Sequence, residues 1–231
     1  MNDLETINRY LARVRGDAEA LGLDLSFSSD PAAFAEFLEQ QDETHGVSSV
    51  HDPRRSDIRP REFAWMLVKS GDTGVCCHAI RLFETDDLIA DIYTGRIYED
   101  IPVRDHWPDP EMYEAAEKLL ISGRVAFGGG LWVHPAWRGQ NLSAVFRKAL
   151  RVVTIPRFKW EHYVSTYRNT ANRREWAKGD GWTPNVIPLS KGYYVPYGKE
   201  LDVILTHATV DETLDVLRRE MAPTATPAAA T

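Results

Sequence analysis

The chain has 231 residues, 43% of them hydrophobic, enough for a sizeable core, and no apolar run approaches the roughly 18 to 20 residues of a membrane span. Its formal net charge of −7 argues against a general nucleic-acid binder, whose affinity comes from neutralising phosphates. The charge is uneven: residues 1–130 carry 13 basic and 25 acidic side chains, whereas Arg138 to Lys178 carries 10 Lys or Arg against 2 Glu, so the later region suits an anion and the earlier one tolerates a cation.

Leu4, Ile7, Leu11, Val14, Ala18 and Leu21 recur at helical spacing and predict a helix with Asp3 as its cap. "LDLSFSS" reads as a short strand. Asp30-Pro31 then opens a second helix through Phe34, Phe37 and Leu38, because Asp caps and Pro is tolerated in a first turn. A polar loop rich in Pro and Arg fills His45 to Pro60. Phe63 to Glu84 holds two apolar runs around Ser70 to Gly74, which is hairpin chemistry. Cys76 and Cys77 are adjacent within the second run, a spacing that suits neither a metal site nor an ordinary disulfide, and they read as buried thiols.

Asp87 to Asp100 is expected to continue the sheet, and Asp109 to Gly123 to form a helix closed by its glycine. Arg124 to Val133 follows as a strand carrying Gly128, Gly129 and Gly130, where a run of glycines suggests a bulge or a close approach by another group. A helix over Ser143 to Val153, a strand over Arg157 to Thr166 and a helix over Asn169 to Trp182 come next. Late strands at Tyr193 to Tyr197 and Leu201 to Thr209, then a helix over Val210 to Met221, complete an α/β pattern with a largely antiparallel sheet. Residues 222–231, a Pro/Ala/Thr tail, have nothing to bury and are expected to be disordered. The organisation is a single domain over 1–221, with an N-terminal helical element in 1–60 and an insertion at 86–124. No basic segment followed by an apolar run opens the sequence, so the expectation is a soluble cytoplasmic protein without a membrane partner.

"LWVHPAWRGQNLSAVFRKAL" runs from an apolar strand through a polar loop into an amphipathic helix, an arrangement that offers backbone N–H groups to an anion. Within it Arg138, Gly139, Gln140, Asn141, Leu142 and Ser143 fall on a Gln/Arg-x-x-Gly-x-Gly/Ala pattern, with Asn141 in place of the first pattern glycine and Ser143 in place of the second. Asn accepts positive φ better than most residues and Ser is small. A later stretch, "NTANRREWAKGDGW", places Asn169 and Ala171 at the start and Gly181 and Trp182 at the end of a second helix, with Asp180 as an extra residue. Together these segments, from about Val125 to Trp182, resemble the acyl-CoA binding region of the GCN5-related N-acetyltransferase superfamily.

The resemblance implies a mixed, largely antiparallel sheet of about six to seven strands flanked by helices. It also implies direct transfer of an acyl group, most simply acetyl, from acetyl-CoA to a small amine or aminoacyl acceptor, with no metal and no nucleic acid involved. The pyrophosphate would sit at Arg138 to Ser143. The pantetheine would lie between the splayed fourth and fifth strands, against the backbone near Leu131, Trp132 and Val133, with Asn169 contributing from the next helix. A bulge in the glycine run could aim an N–H at the thioester oxygen; the glycines could equally serve close packing alone. The family often carries a tyrosine acid on the helix after the fifth strand, and Trp176 stands there instead, so Tyr167 at the strand end becomes the candidate acid, with Tyr163 behind it. His134 is the candidate base. His78 and His162 read as satisfied strand histidines. Glu84, Asp86, Asp87 and Asp91 could hold an amine, although a solvated charge run accounts for them as well. Arg147, Arg151, Arg173 and Arg174 could meet the 3′-phosphate or could be surface charges. Two other readings stay open: a non-catalytic acyl-CoA binding or regulatory protein, and an acyltransferase that takes longer chains from a carrier protein. The insertion could wall the acceptor pocket or form a homodimer contact.

Overall fold

The computed structural model describes residues 2–44, 46–98, 119–168, 182–191, 193–194 and 199–222. Helix α1 (Asp3–Ala20) is capped by Asn2 rather than Asp3: the Asn2 side chain accepts the Glu5 N–H at 2.8 Å. Asp3 instead sits in the first turn, where its charge favours the helix N-terminus. Strand β1 (Asp24–Ser28) leads to α2 (Pro31–Glu39), whose cap is the expected one, Asp30 Oδ1 accepting from Ala32 and Ala33 at 2.9 and 3.1 Å. Strands β2 (Phe63–Ser70) and β3 (Thr73–Thr85) form the expected hairpin.

The described part of Asp87 to Asp100, up to Tyr98, does not continue the sheet. It forms helix α3 (Leu88–Tyr93), because the Asp87 side chain accepts the Ala90 N–H at 3.0 Å. Leu88, Ile89, Ile92 and Tyr93 are then buried on a helical face. Gly123, expected to close a helix, opens strand β4 (Gly123–Val133), and residues 109–118 of that expected helix lie outside the described residues. Helix α4 (Leu142–Phe158) outlasts its expected end at Val153. Pro156 falls in the last turn, where its missing N–H withholds a bond from the Val152 carbonyl, and Lys159 closes the helix in the left-handed region with its N–H on the Ile155 carbonyl at 2.9 Å.

Strand β5 is His162–Arg168, and β6 (Asn185–Ser190) has no counterpart in the sequence reading. The described part of the expected strand at Tyr193 to Tyr197 is β7 (Tyr193–Tyr194), paired with β8 (Lys199–Glu200) in a separate two-stranded ladder; residues 195–198 lie outside the described residues. Strand β9 (Val203–Thr209) and helix α5 (Val210–Met221) follow, α5 starting on a capping box made by Thr209 and Glu212. The disordered tail expected after Met221 lies, beyond Ala222, outside the described residues.

Seven strands form one sheet in the order β1-β2-β3-β4-β5-β9-β6. Every neighbouring pair is antiparallel except β4 and β5. The fold class is therefore the mixed, largely antiparallel α/β sheet with an N-terminal helix that the sequence led one to expect. One face packs on α1, α4 and α5 through Ile7, Tyr10, Met66, Ile80, Phe146, Leu150 and Leu217. The other carries α2 over Phe63, Trp65, Ala79 and Trp132, and α3 over Val125, Phe127, Val164 and Leu205. Among the described residues no helix is long and apolar enough to cross a membrane.

Candidate active site between the parting strands

The parallel ladder of β4 and β5 joins only Val125–Gly128 to His162–Ser165. Both strands run on, β4 to Val133 and β5 to Arg168, without pairing to each other. Past Gly128 and Ser165, then, β4 bonds among the described residues to β3 alone, and the other edge of Gly129 to Val133 parts from β5. The β3 register skips within the same stretch: Ala79 faces Gly129, but Cys77 faces Trp132, so β4 holds one extra residue. Gly130 takes φ +60° to accommodate it, which makes the glycine run the bulge its composition suggested.

Side-chain space at these glycines is filled. A Cβ at Gly128 would overlap the Tyr163 hydroxyl, one at Gly129 the His51 ring, and one at Gly130 the Phe34 ring. Gly129 and Gly130 thus face the same side, as successive residues of a bulge do. Close packing and bulge geometry are both realised here. Neither Phe34 nor His51 was singled out for this site, and the only signal for them is the glycine run itself, three vacated side-chain positions that rings can enter.

On the α4 face, polar groups gather at the closed end of the gap. His78 Nε2 lies 3.4 Å from Tyr163 Oη, and Ser165 Oγ donates to the Gly128 carbonyl at 2.8 Å. Arg151 lies over the Tyr163 ring at 3.6 Å and donates to the Trp182 carbonyl. Arg147 Nη1 donates to Tyr167 Oη at 2.9 Å. Arg147 and Arg151 are each buried, so they are not surface charges; they serve the tyrosines of β5. Burial pushes the Tyr163 phenol up to about 12, reinforced by neighbouring Tyr167. Burial, with the charge of Arg147 next, holds His78 well below the usual imidazole range. On the opposite face burial pushes His51 down to about 4, against the Phe127 carbonyl 3.1 Å from its Nε2.

The loop at the open end has the backbone its pattern requires. Gly139 takes φ +84°, and Asn141 takes φ +59° and ψ 14° at the N-cap position of α4. Among the described residues no side chain caps this helix, and its first turn holds no acid, so its N-terminal dipole faces no carboxylate of its own. His134 Nδ1 accepts the Ala136 N–H at 3.2 Å and shapes the turn Pro135–Trp137, its ring edge-on to Trp132. Arg138 donates to the Val133 carbonyl at 3.2 Å and pairs with Glu43 at 2.5 Å. Gln140 is exposed, Leu142 is buried, and Ser143, Leu131 and Val133 are half-buried. Asn169, Ala171, Arg173, Arg174, Trp176, Asp180 and Gly181 lie outside the described residues.

The acidic candidates stand elsewhere. Glu84 pairs with Arg124 at 2.5 Å, Asp87 caps α3, and Asp91 accepts from Thr85 and from Arg96. Glu84 and Asp86 line an open polar cavity of ≈ 460 Å³ with Thr85, Arg96, Ser122, Gly123 and Arg124, at the opposite end of β4 from the bulge. At that same end of β5, His162 Nδ1 and His207 Nε2 stand 3.0 Å apart, with Asn185 on the far side of His207. Among the described residues no group of three or more His, Cys, Asp or Glu could hold a metal ion.

No protein-family model matches the chain. No curated protein matches it either. Solved structures similar to it include NAA60 of Arabidopsis thaliana in complex with acetyl-CoA, at 9% identity over 82% of this chain and 99% of that one, with a TM-score of 0.47. Mutant forms of the spermidine/spermine N-acetyltransferase SpeG from Vibrio cholerae give 8% identity, 84% and 97% coverage and a TM-score of 0.49. An acetyltransferase of the GNAT family from Streptococcus pneumoniae gives 9% identity, 81% and 100% coverage and a TM-score of 0.43.

Proposed function

We propose that the protein is an acyl-CoA-dependent N-acyltransferase of the GCN5-related kind, passing an acetyl group from acetyl-CoA directly to a small amine or aminoacyl acceptor. The observation that carries this reading is the parting of β4 and β5 just past Gly128 and Ser165, with a bulge in β4 beside the gap. An exposed strand edge of that kind can hydrogen-bond an extended amide-bearing chain as a further strand would. The loop with Gly139 and Asn141 in left-handed backbone, leading into an uncapped helix, supports a pyrophosphate at the open end.

In this reading backbone N–H groups from Gly139 to Ser143 hold the two phosphates, and Arg138 exchanges its contact with Glu43 for one with the ligand. The gap edge of Leu131 to Val133 holds the pantetheine, and an N–H of the bulge stabilises the oxyanion formed when a neutral amine attacks the thioester carbon. The C–S bond then breaks, the thiolate takes a proton from Tyr167, and the proton shed by the acylated nitrogen restores the phenol. Because a guanidinium has only donors, the Tyr167 hydroxyl is the acceptor in its bond with Arg147, and that bond does not use its own hydrogen. His134 positions the loop through its bond to Ala136.

The deciding experiment follows thiol release from acetyl-CoA with a panel of amines, including polyamines, amino acids and aminoacyl peptides. Release with one acceptor class and acetylated product by mass would establish the activity. Tight acetyl-CoA binding without release for any amine would overturn the catalytic reading in favour of a binding protein.

A further inference from the structure

Ser165 and Thr206 are polar residues in the buried interior of two neighbouring strands, 2% and 0% exposed, where alanine and valine are the apolar residues of like size. A buried hydroxyl costs free energy unless it is hydrogen-bonded, and both of these are. Thr206 Oγ1 donates to the Ser165 carbonyl at 3.1 Å, and Ser165 Oγ donates to the Gly128 carbonyl at 2.8 Å. Ser165 stands opposite Thr206 on one side and Gly128 on the other, so the two bonds run in one row across β9, β5 and β4.

The two bonds differ in the ladders they cross. The ladder of β5 with β9 continues on both sides of this row, from His162 to Arg168. That of β5 with β4 ends at it, with Ser165 and Gly128 as the last pair. The end of a ladder frays, because its last rung is held from one side only. Gly128 is also the first of three consecutive glycines, and glycine has more backbone freedom to lose than any other residue. No side chain at this position can restrain it, since a Cβ there would overlap the Tyr163 hydroxyl. The restraint comes instead from across the ladder, through the Ser165 hydroxyl.

We propose that Ser165 is a positioning residue for the acyl donor: its hydroxyl pins the Gly128 carbonyl at the last shared rung and so fixes where the free edge of β4 begins. The proposal rests on the reading of that edge, at Leu131 to Val133, as the seat of the pantetheine. A donor chain that bonds to the edge as a further strand needs the donors and acceptors of β4 at set positions. A rung that opens or slips at Gly128 offsets all of them together. Ser165 acts through the Gly128 carbonyl rather than on the donor itself.

Thr206 supplies the internal control. Thr206→Val deletes a hydroxyl that makes the same kind of bond in the same row, but in a ladder that does not end there. Ser165→Ala deletes the one at the fork. Both variants should unfold at lower urea concentration than the natural protein. In calorimetric titration of the full chain with acetyl-CoA, Ser165→Ala should bind about tenfold more weakly, roughly the worth of one hydrogen bond. Thr206→Val should stay within about twofold of the natural protein. Ser165→Cys keeps the volume and weakens the donor, and it carries the same comparison where Ser165→Ala does not fold. Unchanged acetyl-CoA affinity in a folded but destabilised Ser165 variant would overturn the proposal and leave the CoA reading standing. Equal losses of affinity in the Ser165 and Thr206 variants would overturn it too, since both would then report a general loosening of the sheet. No binding of acetyl-CoA by the natural protein would remove the CoA reading and the proposal with it.

Discussion

Arg147 Nη1 donates to Tyr167 Oη at 2.9 Å, which ties the helix that follows the Gly139 loop to the end of the strand that parts from β4. The bond fixes the phenol at the parted strands and uses its oxygen only as an acceptor. Tyr167→Phe removes the hydroxyl and little else. With an amine that supports CoA release, turnover is expected to fall by roughly 10² to 10⁴ while acetyl-CoA affinity, measured by titration, is kept. A fall in affinity alone would make Tyr167 a contact to the donor, and full activity would return thiolate protonation to water.

Acetyl-CoA is expected to raise the unfolding midpoint. At ligand about 100 times its dissociation constant, linkage contributes roughly 2.7 kcal/mol, or about 5 to 10 °C for a chain of this size. Gly139→Asp should abolish that shift. A Cβ there meets nothing within 4 Å, so the fold should survive, but φ +84° disfavours the residue and the carboxylate would repel two phosphates at a helix N-terminus. An unchanged shift in the folded variant would move the pyrophosphate away from this loop.

How much of this was legible in the sequence depended on how local each signal was. The left-handed backbone at Asn141 was readable because Asn is among the few residues that accept it, and the bulge because glycines in a strand need a reason. Helix α3 was misread because its six residues, "LIADIY", are apolar enough for a strand, and only the Asp87 cap bond separates the two. Strand β6 was hidden by Pro188, which an edge strand tolerates and a central one does not. His51 could not be found at all. It belongs to a loop read as polar, yet it is buried against a glycine 78 positions further on, and no periodicity encodes a contact of that span.

Stability should depend on pH through His51. Its imidazole, ordinarily near 6.5, is pushed down to about 4 by burial, so the unfolded chain binds a proton that the folded one refuses. The contribution is complete above about pH 6.5 and is lost as pH falls from there towards 4, to a limit of about 3 kcal/mol. His78 and His207, also lowered first by burial, act in the same direction. Urea unfolding across this range should give a midpoint that drops with acid, and the slope should be shallower in His51→Gln. A midpoint independent of pH between about 7 and 5 would contradict the buried neutral state.

Gly128→Ala isolates the packing part of the site from its chemistry. Gly128 has ordinary negative-φ backbone, where Ala by itself would stabilise by about 0.4 to 1 kcal/mol. The Cβ, however, collides with the Tyr163 hydroxyl and stands 2.8 Å from Cζ and 3.2 Å from His78 Nε2. Tyr163 is fully buried under Arg151 and cannot swing aside without disturbing that stack, so the net cost should be about 1 to 3 kcal/mol. Tyr163→Phe in the same chain takes away the atom in closest conflict. The double variant should then recover part of the loss, with a coupling of about 0.5 to 3 kcal/mol in a cycle of urea unfolding free energies. Strictly additive losses would mean that the strand accommodates the methyl by moving, and that Gly128 is not there to admit the tyrosine.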